Sequence, residues 1–350
     1  MLLNNIIDAI GNTPLVKLRM RENSTAHVYA KLELLNPFGM KDRVAKHIIL
    51  EAKKSGELAD HAPIIESSSG TMALGLALVG TYYNHDVHIV TDPRIDKITY
   101  RKLKSLGCQI HIVEKMTKNG WQSARLEYLS QLLERFPEAF WPRQYENSNN
   151  PLSYKFLSDE LLSEVNHIDM LVGSIGSGGS LCGTARMLKK SNPKLHVVAV
   201  DTVGSVIFGQ PDTPGRLQSG LGNSLIPLNV DHSVVDEVHW LNDHEAFSAT
   251  LELAREEKIF AGNSSGSVYA VARWLSTQAP KDFNIAAIFP DRGDRYFDTV
   301  YNEDYRMEKE IGGPCILESP EKITLEQVAK SWSYALLNGV KSYEKETSVH

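Results

Sequence analysis

Three cysteines in 350 residues, Cys108, Cys182 and Cys315, are too few, too dispersed and odd in number to build a disulfide scaffold, and they fit a reducing compartment. Also missing is any apolar run of the roughly 20 residues that a membrane-spanning helix requires. The N-terminal "MLLNNIIDAIGNTP" has only a short apolar stretch and no basic start, which argues against a secretory signal. Positive charge is not in excess: 37 Lys and Arg stand against 43 Asp and Glu, a net charge of −6. Without clustered basic residues there is no counterion release to drive nucleic-acid binding. The 12 histidines are scattered without metal-ligand spacing, so no metal site is expected. Internal repeats, heptads and low-complexity segments are lacking too. These absences point to a soluble, cytoplasmic chain.

What is present is a rhythm. With 42% hydrophobic residues the chain can bury a large core, and its length favours two domains. Short β-branched runs, "APIIESSS", "DVHIVTD", "QIHIVEK", "DMLVGSIG", "HVVAVDT" and "NIAAIFPD", alternate with helical patterns such as "TMALGLALVGTYY", "ITYRKLKSLG" and "AFSATLELAREEK". That alternation predicts doubly wound α/β architecture. The first block, about residues 40 to 148, ends in the polar "QYENSNNPLS", a natural crossing point between domains. A second block runs to about residue 300, and the tail "EKITLEQVAKSWSYALLNG" has helical spacing.

Three junctions where a strand gives way to a helix carry unusual chemistry. "NPFGMKDRVAKH" places Lys41 at a helix start. "SSSGT", Ser67 to Thr71, gathers hydroxyls and free backbone N–H groups at another, which is an anion site by construction. "SIGSGGSLCG" offers Gly176, Gly178 and Gly179 for tight curvature, with Ser177 and Ser180 as donors. Singly, each is compatible with an ordinary helix cap or, for Lys41, a solvated lysine. Together they sit where parallel sheets bind ligands, at the carboxyl ends of strands. Cys108 and Cys182 lie in apolar contexts and read as inert. The basic face of "DPRIDKITYRKLKSLG" reads as solvated.

The same stretches carry a resemblance. "IGNTPLVKL", "KLELLNPFGMKDR", "ESSSGTMALGLAL", "GSGGSLCG", "GLGNSLIP" and "FAGNSSGS" recur in the order found in the cysteine synthase and cystathionine β-synthase family, the pyridoxal-phosphate enzymes of fold type II. The resemblance covers about residues 5 to 305. It implies a larger cofactor-binding domain from residues 1–40 with 149–310, a smaller substrate-closing domain from 41–148, and a C-terminal helical tail, 311–350. It also implies an active site in the cleft between the domains, and a homodimer. Within the family, "GSVIFG", "IFAGNSSGS" and "FPDRGDRYFDTVY" look most like the siderophore-pathway branch, whose members join O-phosphoserine and glutamate into N-(2-amino-2-carboxyethyl)-L-glutamate.

By that resemblance Lys41 forms the Schiff base with the cofactor and later acts as general base. Partial desolvation, or the neighbouring cations Arg43 and Lys46, would help to keep the amine neutral, and Asp42 and Arg43 would brace the helix start. Gly176, Ser177, Gly178, Gly179 and Ser180 would cradle the 5′-phosphate, so that a valine at Gly178 would cost cofactor retention more than folding. Ser68, Ser69 and Gly70 would close on the substrate carboxylate, with Gln144 as a further contact. Arg125 and Tyr145 match positions that the phosphoserine-using branch employs. Read from the residues alone, Arg125 also fits a solvated helix face and Tyr145 a core position.

Three departures from the family pattern stand out. The lysine loop is one residue shorter than usual. Thr71 replaces an asparagine that bonds the cofactor's 3′-oxygen. Arg292 replaces a serine at the ring nitrogen, where a fixed positive charge would discourage protonation. Ser264 is therefore expected to make the ring contact, and Arg292 to pair with Asp291 or Asp294. The expected activity is β-replacement on an activated serine through an aminoacrylate, with glutamate's amine adding to it. A thiol nucleophile, giving cysteine or cystathionine, is the alternative, and a ligand-binding relative without turnover is a third.

Overall fold

The protein, as a computed structural model, is described over residues 2–337 except 21, 119, 314 and 316. In chain order its strands are β1 (Leu15–Lys17), β2 (His27–Lys31), β3 (Ile64–Ser67), β4 (Val87–Thr91), β5 (Gln109–Ile112), β6 (Met170–Ser174), β7 (His196–Thr202), β8 (Glu237–Leu241), β9 (Asn284–Ile288), β10 (Glu321–Lys322) and β11 (Ser333–Leu336). The α-helices are α1 (Lys41–Ser55), α2 (Thr71–Tyr82), α3 (Lys97–Ser105), α4 (Trp121–Arg135), α5 (Asn149–Leu152), α6 (Lys155–Glu164), α7 (Gly179–Ser191), α8 (Asp243–Glu256), α9 (Asn263–Gln278) and α10 (Glu303–Glu308). No described helix is long and apolar enough to cross a membrane.

The chain divides into two units, one of Met1–Gly11 with Leu35–Ser153 and one of Asn12–Leu34 with Tyr154–His350. These boundaries differ from the expected 1–40, 41–148 and 149–310, and local contacts give the reason. Lys46 Nζ donates to the Ile7 carbonyl at 2.9 Å and the Gly11 N–H to Asn36 Oδ1 at 2.8 Å, which ties the first residues to α1. Helix α5 packs on α1 as well, so the unit extends past residue 148.

The first unit holds a parallel sheet in the order β3-β4-β5. Helix α2 is apolar on every side and buries Met72 through Gly80, the pattern of a helix enclosed by protein. Ile65, Val90, Val113, Ala124, Leu129 and Leu132 make a core between sheet and α4.

The second unit is an eight-stranded sheet ordered β1-β2-β9-β6-β7-β8-β11-β10. From β2 to β8 the neighbours are parallel, whereas β1 and β11 join antiparallel to β2 and β8. Helix α9 lies against the central strands, where Val172, Val198, Ala270, Val271, Ala287 and Phe289 are fully buried. Each large aliphatic side chain so buried contributes about 1.5–3 kcal/mol.

Two elements depart from the periodicity reading. Strand β8, "EVHWL", was hidden by its polar residues, yet it is buried throughout. Glu237 Oε2 takes His196 Nε2 at 2.9 Å and Oε1 takes His239 Nε2 at 2.7 Å, while the Trp332 indole donates to His239 Nδ1 at 3.1 Å. An indole only donates, so His239 carries its proton on Nε2. The tail is the second departure and a correction. Residues 321–322 and 333–336 are strands, not helix. The edge of β8 offers unpaired backbone groups, and β11 satisfies them while burying Ser333 and Ala335, so tertiary pairing outweighs local spacing. Residues 338–350 of the expected tail lie outside the described residues.

Burial works against the charge of Glu237, but the hydrogen bonds from His196 and His239 outweigh it and hold the carboxyl at about 2 rather than 4.5. A depressed folded value means that its contribution is full above 4.5 and is lost as pH falls toward 2. Glu237→Gln, whose amide can accept only one of the two imidazole N–H groups, should lower the unfolding free energy by about 1–3 kcal/mol at neutral pH. Urea melts of the two proteins should diverge above pH 4.5 and converge as acid is added; a gap that persists at low pH would refute this account.

Candidate functional site

Lys41 begins α1, after Gly39 at φ 134° and an uncapped start at Met40. Asp42 accepts the Phe38 N–H at 2.7 Å, which braces the short loop as expected. Helix α2 reaches this turn because residue 75 is glycine: a Cβ there would stand 3.0 Å from the Lys41 carbonyl oxygen and 3.1 Å from Ala45 Cβ. The loop before α2 is thereby brought toward the lysine within one unit. Burial draws the Lys41 amine down from 10.5 to about 8. Of the two causes that the sequence left open, desolvation and the neighbouring cations Arg43 and Lys46, desolvation is the one that acts.

The "SSSGT" loop leaves β3 with Ser68 buried and Ser69, Gly70 and Thr71 half-buried. Gly70 starts α2 with no side-chain cap, so the first N–H groups of α2 are left for a ligand. Arg125 Nη1 donates to Ser69 Oγ at 3.1 Å and lies 3.5 Å from Asp92 Oδ2, with only 12% of its side chain exposed. It does not occupy a solvated helix face. Asp92 also holds Arg94 through two hydrogen bonds of 2.9 and 3.0 Å. Burial disfavours its charge, but the Arg94 hydrogen bonds and the Arg125 charge keep the carboxyl below its ordinary range. Gln144 is buried and its amide donates to the Ser67 carbonyl at 3.4 Å. Tyr145 is half-buried, and burial pushes its hydroxyl upward while Arg125 opposes the shift. Ser69, Arg125, Gln144 and Tyr145 therefore belong to one neighbourhood of the first unit.

In the second unit, β6 runs into Gly176, Ser177 and Gly178, and α7 opens at Gly179 and Ser180 with no side-chain cap. Ser177 and Ser180 are buried. A Cβ at Gly176 would press 3.2 Å from the Gly220 carbonyl oxygen, and Gly222 N–H donates to the Ile175 carbonyl at 2.8 Å. The "GLGNSLIP" segment thus walls the loop. Gly178 has φ 82°, and a Cβ there would lie 2.7 Å from the Val230 backbone. A valine at 178 would strain the loop whether or not a ligand is bound, so the substitution would cost folding as well as retention.

Ser264, in the first turn of α9, is 1% exposed, and its hydroxyl has no hydrogen-bond partner among the described residues. Gly220 and the Tyr296 hydroxyl are close by; a Cβ on Gly220 would be 3.8 Å from each. Tyr296 donates to Asp291 Oδ2 at 2.8 Å and Arg295 reaches the same oxygen at 3.1 Å. Arg292 is 55% exposed and pairs with Asp294 at 3.2 Å, as expected.

Sequence reading passed over four residues. Glu66, at the end of the buried strand β3, accepts from Ser67, Trp141 and Gln144, and burial raises it to about 7. Its signal was a carboxylate in an otherwise apolar run. Asp92 offered the same signal after β4. Gly75 and Gly220 had none beyond being glycine, because the contact that requires each comes from elsewhere in its unit.

A family model described as "Pyridoxal-phosphate dependent enzyme" matches residues 6–291. An N-(2-amino-2-carboxyethyl)-L-glutamate synthase of Cupriavidus metallidurans is 38% identical over 311 residues, 87% of this chain and 91% of that protein. Its namesake in Ralstonia nicotianae is 38% identical over 328 residues, 91% of this chain and 97% of that one. Among solved structures, a hydrogen sulfide-producing enzyme from Fusobacterium nucleatum matches with a TM-score of 0.80 at 31% identity, over 85% of this chain and 98% of that chain. A family model that spans most of the chain and two relatives at 38% identity establish that the chain belongs to the pyridoxal-phosphate dependent enzymes and has their fold type II architecture.

Proposed function

We propose that the protein catalyses β-replacement on O-phosphoserine, with the amine of glutamate as the incoming nucleophile and N-(2-amino-2-carboxyethyl)-L-glutamate as the product. The observation that carries this reading is Arg125, a buried guanidinium on Ser69 of the "SSSGT" loop. A phosphate dianion calls for such a partner, whereas an acetyl group does not. The names of the two relatives at 38% identity support the same product.

The residues present fit the cofactor. Gly176, Ser177, Gly178, Gly179 and Ser180 would hold its phosphate through backbone N–H groups and hydroxyls, in a loop with no room for larger side chains. Ser264, whose buried hydroxyl lacks a partner among the described residues, would meet the ring nitrogen, and Thr71 the 3′-oxygen. Lys41 would anchor the group through Nζ. When bound, pyridoxal phosphate supplies an electron sink for the charge left when the α-proton departs.

The remaining work falls to the chain's own groups. Lys41, at about 8, is neutral in a useful fraction at physiological pH and can take the α-proton on Nζ. Ser68, Ser69, Gly70 and Gln144 bind the substrate carboxylate and fix its orientation. Arg125 and Tyr145 receive the phosphate as it leaves. A second reading, with a thiol or sulfide as nucleophile, rests on the resemblance to the cysteine synthase and cystathionine β-synthase family. The third reading, binding without turnover, loses one of its motives, because Arg292 pairs with Asp294. Assembly as a homodimer in the cytoplasm belongs to the proposal; it rests on the family resemblance and on three cysteines that are free.

Lys41→Ala should purify without the visible absorption of the lysine-linked cofactor, read by spectrophotometry; unchanged colour, with a borohydride-fixed label on another lysine, would reassign the anchor. Arg125→Ala should raise KM for O-phosphoserine about tenfold to a hundredfold while KM for O-acetylserine changes little, since losing a charge-assisted partner costs roughly 1.5–3 kcal/mol. Steady-state kinetics on both donors decides it. Equal loss on the two would make Arg125 a brace for the loop and favour the thiol reading.

A further inference from the structure

Glu66 is a buried carboxylate to which the proposed chemistry gives no role. It stands at the last turn of β3 before the "SSSGT" loop, 3% exposed. One oxygen, Oε1, accepts the Ser67 N–H at 2.8 Å and the Trp141 indole N–H at 3.2 Å. The other, Oε2, accepts the Gln144 N–H at 3.2 Å. Gln144 returns a bond from its own amide to the Ser67 carbonyl, and its carbonyl is fixed by Asn150 Nδ2 at 2.6 Å. Arg143, at φ 52°, turns the chain so that the Gln144 N–H faces the carboxylate, and its guanidinium lies over the Trp141 ring at 5.0 Å. Two segments far apart in sequence, 67–71 and 141–145, thus meet on the two oxygens of one side chain.

We infer that Glu66 is a positioning residue for the substrate-carboxylate site, its ionised carboxylate locking the Ser67–Thr71 loop to the Trp141–Tyr145 segment so that Ser68, Ser69 and Gln144 face one ligand. This rests on the assignment of those residues to the substrate carboxylate. Three N–H donors take three of the roughly four lone-pair sites of the two oxygens; a proton would take the fourth, on Oε2, and turn charge-assisted hydrogen bonds into weaker bonds to a neutral acid. An ionised Glu66 therefore closes the constellation, and a protonated one loosens it.

The surroundings set the balance near neutrality. Burial raises the carboxyl to about 7 against the opposing hydrogen bonds and the Arg125 charge. The ionisable groups bearing on it are Arg125 from α4 and Tyr145; Asp92 of the neighbouring strand faces Arg125. His88 pairs in register with Ile65 rather than Glu66, which places it on the other face of the sheet. Helix α2 carries no charged residue. Because the folded value lies above the ordinary 4.5, ionised Glu66 costs stability, and the cost grows as pH rises from 4.5 through about 7. A carboxylate retained only for folding would not be placed this way.

The test compares the wild-type holoenzyme with Glu66→Gln and Glu66→Asp, and follows the Trp141 indole N–H resonance, assigned by its loss in Trp141→Phe. In wild type that resonance should titrate with a midpoint near 7, and in Glu66→Gln it should not. KM for the amino-acid donor should rise about tenfold in Glu66→Gln while kcat stays within about threefold, as expected for a lost contact to a charged group felt in binding. Below the midpoint, wild type should approach the variant's KM. Glu66→Asp, which keeps the charge, should retain the titration and lie between the two. An indole resonance that does not titrate, or an unchanged KM in a folded Glu66→Gln, overturns the inference. Both O-phosphoserine and O-acetylserine are assayed. A wild type that uses only the latter overturns the donor assignment, and the Glu66 comparison is then decided on O-acetylserine.

Discussion

The first N–H groups of a helix have no partner within it, and each must find an acceptor. In this protein the solution varies with location. Helices α3, α8 and α10 cap themselves with Asp96, Asn242 and Asn302. Helices α2, α7 and α9 open on Gly70, Gly178 and Gly262 with no side-chain cap. Two of these follow directly on the carboxyl ends of buried strands, β3 and β6. The unmet donors suit anions: a carboxylate before α2 and a phosphate before α7. Much else serves to hold these ends in place, including the close approach allowed by Gly75 and the wall formed by Gly220.

Two buried glutamates show how partner chemistry, rather than burial, decides charge. Glu237 and Glu66 are both almost inaccessible. Glu237 accepts hydrogen bonds from two imidazoles, His196 and His239, and stays at about 2. Glu66 meets N–H dipoles, with Arg125 acting only through its charge, and rises to about 7. The first stabilises the sheet at any ordinary pH, while the second carries a cost that the surrounding fold must offset. Asp201, behind the "GLGNSLIP" segment, behaves like Glu66: burial lifts it to about 7, and its Oδ2 has no partner. Groups placed against their own preference concentrate beside the loops that would hold ligands.

Much of this was legible in the residues. Short apolar runs marked β3, β4, β6, β7 and β9, because a strand buried on both faces must be apolar along its length, while β5, which is not buried, was marked by its β-branched residues. The loops "SSSGT" and "GSGGS" were legible because glycine lets a ligand approach the open N–H groups of a helix start and hydroxyls add donors beside them. Lys41 stood out by its context. The reading of Arg292 as an ion pair held because a guanidinium stays charged and seeks a carboxylate nearby in sequence.

What sequence alone determined, then, is the set of elements and the chemical classes that they present, since these depend on local periodicity and on residue type. Tertiary structure decided the rest. It drew β11 onto the open edge of β8 against a helical pattern, buried Glu237 with His196 and His239 so that a polar run became a core strand, and gave the first eleven residues to α1. It lowered Lys41 by burial rather than through neighbouring cations, and joined Glu66 to Trp141 and Gln144. Each of these depends on which distant groups remove water and supply a partner, and a linear sequence holds no record of that distance.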